Sequence, residues 1–369
     1  MKHILAAVAA TMLVSPVGAQ QFEREGSRSA ASVLAANQLR SDVHQVDPAV
    51  PVRADNYHFT VRTGWGPVTA SSYDMLLIRL REIAAIQAIT QVGKTEAYMT
   101  AVAKAATAPL RTAGNLITNP AETIANAPRG VASMLDRVGG SMSPGRRHDD
   151  DVMGTVSGGA AAKREIAFTY RVSPYSSNRI LQAKVDELAQ AAALGGLTVS
   201  AASLAIPGGV GLAFSLGRTS EDLAALLRDK TPRELREANR QTLQALAVPP
   251  ADIERFLAND AYSPGQQTYL VQSLVALRGV RQIDHFVRLS SDAKDEDAAF
   301  LYQRIAQMTA GYHRLVKRVT TLGVVGNVPL ALTVDNVVLV LAPMDEVLWT
   351  PRTAQTAQAV SKVVAPLKP

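Results

Sequence analysis

Ser291 and Lys294 stand three residues apart, the spacing at which a lysine can activate a serine nucleophile for acyl transfer. That chemistry also needs a Ser-x-Asn motif and then Lys-Thr-Gly further along the chain. Here Ser176-Ser177-Asn178 precedes Ser291 and no Lys-Thr-Gly follows, so the order is wrong for it. Gly93-Lys94-Thr95 has the ending of a phosphate-binding loop, yet Ala88 stands where the first glycine belongs and the residues before it read as helix instead of strand. A Gly-x-Ser-x-Gly nucleophile elbow is absent.

The six histidines contain no His-x-x-x-His or His-Glu-x-x-His spacing that would put two metal ligands on one helix face. His3 lies in the N-terminal apolar segment, and His44, His58 and His148 stand alone. Asp284-His285 and His313 fall in one helical region, where folding can bring an imidazole beside a carboxylate, and these three form the candidate polar site. Sequence neighbours on a helix do not face one another, so a plain surface role competes with that reading. Asp149-Asp150-Asp151 lacks the alternating spacing and distant glutamate of a calcium loop. Asp295-Glu296-Asp297 makes an acidic helix start that the helix dipole explains. No metal or cofactor is expected, and the motifs point away from an enzyme.

The chain that must position these residues begins with an address. Met1-Lys2-His3, the apolar run from Ile4 to Val14, and Val17-x-Ala19 have the three parts of a secretory signal peptide with cleavage after Ala19. The apolar run is too short to span a bilayer. The expectation is a periplasmic or secreted protein of a Gram-negative type envelope, away from cytoplasmic ATP and genomic DNA. There is no cysteine, so neither a lipid at a signal-peptide cysteine nor a disulfide framework is possible, and a conventional core must hold the fold. Beyond residue 19 the chain has 37 basic and 32 acidic residues, with no run of five Lys or Arg. Nucleic acid is therefore not an expected partner. The mild basic excess suits an envelope protein or polymer, or peripheral contact with anionic lipid. Nothing in the pattern fixes an oligomeric state.

Residues 20–56 are rich in Gln, Ser, Ala and Arg, broken by Pro48 and Pro51, and read as an extended or disordered leader. Residues 57–138 read as a strand, 57–62, followed by a helix that Ser72 caps and Leu76, Leu80, Ile83 and Ile86 pattern, then by short proline-started pieces such as Asn119-Pro120-Ala121-Glu122. Glycines, Pro144 and Arg146-Arg147-His148 mark 139–163 as a flexible linker or inserted loop. Residues 164–350 read as mainly helical, opening with strand character at 166–172 and a helix from about Ser177. Leu188 to Gly217 carries no charge and folds on itself at Pro207-Gly208-Gly209, either as a buried hairpin or as one that enters a bilayer.

Thr231-Pro232-Arg233-Glu234 and Ser263-Pro264-Gly265-Gln266 are capping boxes with proline at the first helical position. Each begins a similar pattern, ending in Ile253-Glu254-Arg255-Phe256-Leu257 and Ile283-Asp284-His285-Phe286-Val287, with a period near 31 residues. Two such helix pairs, stacked, make a short solenoid, an architecture that supplies binding surfaces. A last helix runs from Glu296 to about Val319, and Leu330–Val334 with Val337–Leu341 flank Asp335-Asn336 as a hairpin. Residues 351–369 read as a polar tail. The fold expected is α+β, mainly α: a helical core with a small mixed or antiparallel sheet that includes the C-terminal hairpin. The function expected is an exported, soluble binding or scaffolding module. The alternatives are a membrane-active protein inserting 188–217 and a periplasmic hydrolase without a recognisable motif.

Overall fold

Ser72 is extended and its hydroxyl accepts the amide of Met75, which starts the central helix α3, Tyr73–Val92. This is preceded by two single-turn helices, α1 (Ala30–Val33) and α2 (Ala36–Leu39). The computed structural model describes residues 22–93, 95–100, 159–195 and 219–365. Within them the protein is α+β, mainly helical, with three small antiparallel sheets.

Three strands of the first two sheets, and the start of a fourth, come from the segment expected to be an extended or disordered leader. Strands β1 (Ser27–Ser29), β3 (Ala49–Arg53) and β4 (Asn56–Tyr57) make one; β2 (His44–Val46), β5 (Phe59–Thr63) and β6 (Val68–Ala70) make the other. Val46, Val50 and Val52 are buried, so residues 27–56 belong to the core and are not a disordered leader. Their burial alternates with period two, but strands of three to five residues interrupted by prolines are too short to show that period. Phe59, Val61, Val68 and Ala70 pack with Leu76, Leu80 and Ile83 from the first half of α3.

The second half of α3 packs through Ala85, Ile86 and Ile89 against a helical pair, α4 (Gly159–Thr169) and α5 (Arg179–Gly195). Helix α4 corrects two expectations. The linker 139–163 ends in helix from residue 159, and 166–172 is not a strand. Ile166, Phe168, Tyr170 and Val172 alternate in sequence, but Ile166 and Tyr170 are also four apart, and both are buried against Leu181 and Val185 of α5. Asn178, one residue after the expected start at Ser177, caps α5 by accepting the amides of Ile180 and Leu181. Residues 101–158 and 196–218, with the Asn119 capping box, Asp149–Asp151 and the turn of the uncharged hairpin, lie outside the described residues. No described helix is long and apolar enough to cross a membrane.

After α6 (Thr219–Asp229) the chain builds a stack of helices: α7 (Pro232–Ala245), α8 (Pro250–Leu257), α9 (Pro264–Val275), α10 (Ile283–Ser290) and α11 (Glu296–Leu315). Both capping boxes form, with Thr231 and Ser263 accepting the amides of Glu234 and Gln266 and receiving their side chains in return. Helix α7 lies on α9 and α9 on α11, while α8 lies on α10, so the two patterns near 31 residues apart fold as stacked helix pairs. Equivalent residues take equivalent buried places: Leu243 and Leu274, Ile253 and Ile283, Phe256 and Phe286. Polar pins join the pairs. The Tyr262 hydroxyl donates to the Ser290 carbonyl at 2.8 Å, and the Asn259 side-chain amide donates to the carbonyls of Ser291 and Ala293.

Helix α11 ends at Leu315, four residues earlier than its apolar spacing suggests. Val319 instead begins β7 (Val319–Val325), which pairs with β8 (Val328–Thr333), and β8 with β9 (Val338–Val340). The β8–β9 hairpin turns at Asp335-Asn336 with Asn336 left-handed at φ 60°. The expected polar tail contains a further helix, α12 (Pro351–Val364), capped by Thr350, which accepts the amide of Thr353. Ahead of it, residues 345–350 strap the N-terminal sheets. Arg28 forks onto Glu346, the amides of Asp345 and Glu346 donate to the Asp55 carbonyl, and Glu23 and Trp349 exchange two hydrogen bonds.

Candidate functional site

Helix α10 carries two of the expected site residues on its outer face. The His285 Nε2 and the Asp284 carboxylate are 3.8 Å apart, both partly exposed. Arg288, one turn on, donates from Nε and Nη2 to the two oxygens of Asp252 on α8 at 3.1 and 2.8 Å and lies 3.7 Å from Asp284. That fork holds the Asp252 carboxyl below the usual carboxylate range. The same face pairs Arg255 with Asp292, and Arg240 with Glu254 and Glu237. Among the described residues its arginines are matched by neighbouring carboxylates.

His313 is placed elsewhere, in the last turn of α11, and has different work. Its Nδ1 accepts the amide of Val319 at 3.0 Å, which ties the end of α11 to the start of β7 and leaves Nε2 to carry the proton of the neutral ring. The structure thus does not join Asp284, His285 and His313 into one site. The other motifs resolve in similar ways. The Ser291 hydroxyl is buried and donates to the Val287 carbonyl at 2.8 Å, a back-bond along its own helix that leaves no nucleophile for Lys294. Gly93 continues from α3, its amide donating to Ile89. Ser176, Ser177 and Asn178 gather around the buried pair of Arg79 and Glu82: Arg79 donates to both serine hydroxyls, and Asn178 donates to Glu82 at 3.1 Å. This is a clasp between α3 and the start of α5.

His313 does line an open hollow of about 500 Å³ at the end of the stack, together with Arg278, Arg281, Arg318, Val319 and Val334. Four stretches of chain build it. After α9 the chain turns through Gly279, at φ 87°, where an added Cβ would meet open space, so the glycine supplies conformation and not clearance. Gln282 is also left-handed, at φ 63°. Between them Arg281 is bridged in parallel to β7: its amide donates to the Thr320 carbonyl at 3.0 Å and its carbonyl accepts from Leu322 at 2.9 Å. At the end of α11 the amides of Val316 and Lys317 both donate to the Tyr312 carbonyl, which swings the chain round and sets Arg318 at the rim. The amide of Val334 donates to the Arg318 carbonyl at 3.0 Å, bringing the β8–β9 turn alongside.

The electrostatics are one-sided. Arg281 is steadied by Thr321, whose hydroxyl accepts from Nε and Nη2 at 3.2 and 3.0 Å. Among the described residues no carboxylate pairs with Arg278, Arg281 or Arg318, and none lines the hollow. Asp335, one residue from the lining Val334, is bonded to Lys317 at 2.6 Å and to the Thr333 hydroxyl. Guanidinium groups stay charged at any working pH and present planar forks of donors to oxyanions. Thr320, the lining hydroxyl, has its proton on the Leu332 carbonyl. The arrangement can hold an anion and offers neither a nucleophile nor a free base to attack one. Among the described residues no three His, Asp or Glu side chains gather as metal ligands.

The three arginines escape a sequence reading because 40 residues separate the first from the last: Arg278 and Arg281 sit on the turn after α9, and Arg318 arrives only after α11. The one available signal is the turn inside the second helix pair, between α9 and α10, which holds Arg278-Gly279-Val280-Arg281 and is longer than its counterpart between α7 and α8. No known protein family matches the chain, and no curated protein or solved structure matches it either.

Proposed function

We propose that this chain is a binding module of the cell envelope that captures an anionic group in the hollow at the end of its helical stack. The observation that carries the reading is the convergence of Arg278, Arg281 and Arg318 on one open hollow of about 500 Å³ with no carboxylate in its lining. Charge-assisted hydrogen bonds to guanidinium are among the stronger polar contacts a protein makes, and three around one space favour a ligand with several anionic oxygens. The envelope address rests on the signal-peptide pattern of residues 1–19, and the binding role on a short stack of helix pairs, an architecture that presents surfaces.

Isothermal titration of residues 20–369 with pyrophosphate tests the hollow. Saturable binding is expected, weakened about a hundredfold or more when Arg278, Arg281 and Arg318 are replaced together by alanine. Binding that survives the triple substitution sinks the proposal. Fractionation with N-terminal sequencing tests the address: the mature chain should begin at Gln20.

A further inference from the structure

The rim of the hollow is apolar where it faces water. Leu315, the last residue of α11, and Val316, its C-cap, are 73% and 55% exposed, and Val334 and Val337, flanking the β8–β9 turn, are 62% and 44% exposed, Val334 alone of the four lining the hollow. These two segments are held side by side by the bond from Val334 to the Arg318 carbonyl and by the Lys317–Asp335 pair. Isolated exposed aliphatic residues need no explanation, but four on two joined segments around three unneutralised arginines make a composite surface.

Resting on the anion-binding reading above, we infer that this end of the stack docks on an anionic membrane surface, with lipid phosphates in the hollow and the four aliphatic side chains in the headgroup layer. Charge complementarity selects an acidic surface, and the rim selects among acidic surfaces. A soluble polyanion offers no apolar phase to Leu315, Val316, Val334 and Val337, whereas the bilayer interface takes shallow apolar side chains and anionic headgroups together. A stable protein interface needs about 800 Å² and some twenty residues a side, far more than this rim supplies. The dipole of α11 accounts for a cation at its end and that of α9 for Arg278, but Arg281, bridged to β7, owes nothing to either.

Co-sedimentation of residues 20–369 with phosphatidylcholine vesicles, with and without about an equal part of phosphatidylglycerol, provides the test. Binding is expected only when phosphatidylglycerol is present, and it should fall about a hundredfold in the triple arginine variant. Replacing Leu315, Val316 and Val337, which do not line the hollow, by serine should weaken vesicle binding about tenfold or more while leaving pyrophosphate binding unchanged. Val337→Ser alone, at an exposed turn, gives the same readout if the threefold variant fails to fold. Pyrophosphate binding without vesicle binding overturns the membrane assignment and leaves the anion site standing. Capture of soluble polygalacturonate, insensitive to the serine changes and without vesicle binding, moves the ligand to a polymer and overturns it too. Vesicle binding untouched by either set of substitutions also overturns it, and a protein that binds neither pyrophosphate nor vesicles removes both proposals.

Discussion

On the outer face of α8 and α10, Arg255 and Arg288 each lie against an aspartate; at the end of the same stack, Arg278 and Arg318 lie against none among the described residues. The residue type is the same and so is the supporting core. The difference lies in what surrounds the charge. A guanidinium that donates to its neighbour's carboxylate has spent its directional hydrogen bonds inside the molecule, and an exposed pair of that kind contributes little to stability or to recognition. A guanidinium steadied only by a threonine hydroxyl, as Arg281 is, keeps donors for something outside. Pairing, more than abundance of charge, separates a solvated face from a candidate site.

Phe256→Ala tests whether the two regions share one support. Phe256 is fully buried in the core that α8, α9 and α10 hold in common, and its loss should cost about 3–5 kcal/mol by denaturant unfolding, with the outer face and the hollow lost in one transition. Two separate transitions would break the comparison at its root.

The strap supplies a partly buried carboxyl as a third condition. Asp345 Oδ2 accepts the amides of Tyr57 and Tyr73 at 2.9 and 2.8 Å, and burial, outweighing those bonds, pushes its carboxyl above the ordinary carboxylate range. Asp345→Ala should cost about 1–3 kcal/mol by leaving two amides without their acceptor. Asp345→Asn keeps an acceptor and removes the charge. A raised carboxyl binds its proton more tightly folded than unfolded, so its contribution is full in acid and declines as pH rises through the folded value. The asparagine variant should therefore gain in thermal stability relative to the parent between about pH 4 and pH 7. Parallel curves across that range would show that Asp345 keeps an ordinary carboxyl.

Val334→Glu makes the hollow resemble the outer face by giving its arginines a carboxylate of their own. Pyrophosphate binding should fall about tenfold with the unfolding midpoint unchanged; undiminished binding would mean that pairing is not what distinguishes the regions. The smallest effect belongs to Arg288→Ala, which should cost no more than about 1 kcal/mol and leave anion binding as it was.

Much of the helical grammar was legible because it is local. The caps at Ser72, Thr231 and Ser263 each need one side chain and the amide three residues on, and the sequence displays both. The repeated helix pair was legible for the same reason. The strands of residues 27–57 were not, since each is short and finds its partner only through tertiary pairing, as Val46 does opposite Val61. Helix α12 obeys the proline-at-first-position rule used elsewhere, through Thr350-Pro351, but its Ala and Gln content lacks an apolar stripe and so resembled a tail. The expected site failed for a related reason. Asp284 and His285 are neighbours in sequence, and neighbours on a helix diverge, whereas Arg278 and Arg318 become neighbours only after α11 has run its length and the chain has turned back along β7.

The strap that fastens residues 345–350 over the first strands has a consequence in time. Glu23, Arg28 and Asp55 find their partners near position 350, so the opening layer of the molecule stays an open ledger of unmet hydrogen bonds until that late segment has been made. The core of that layer is local, since Val46, Val50, Phe59 and Val61 pack on Leu76, Leu80 and Ile83, but its outer polar groups are satisfied only by residues about 300 positions later.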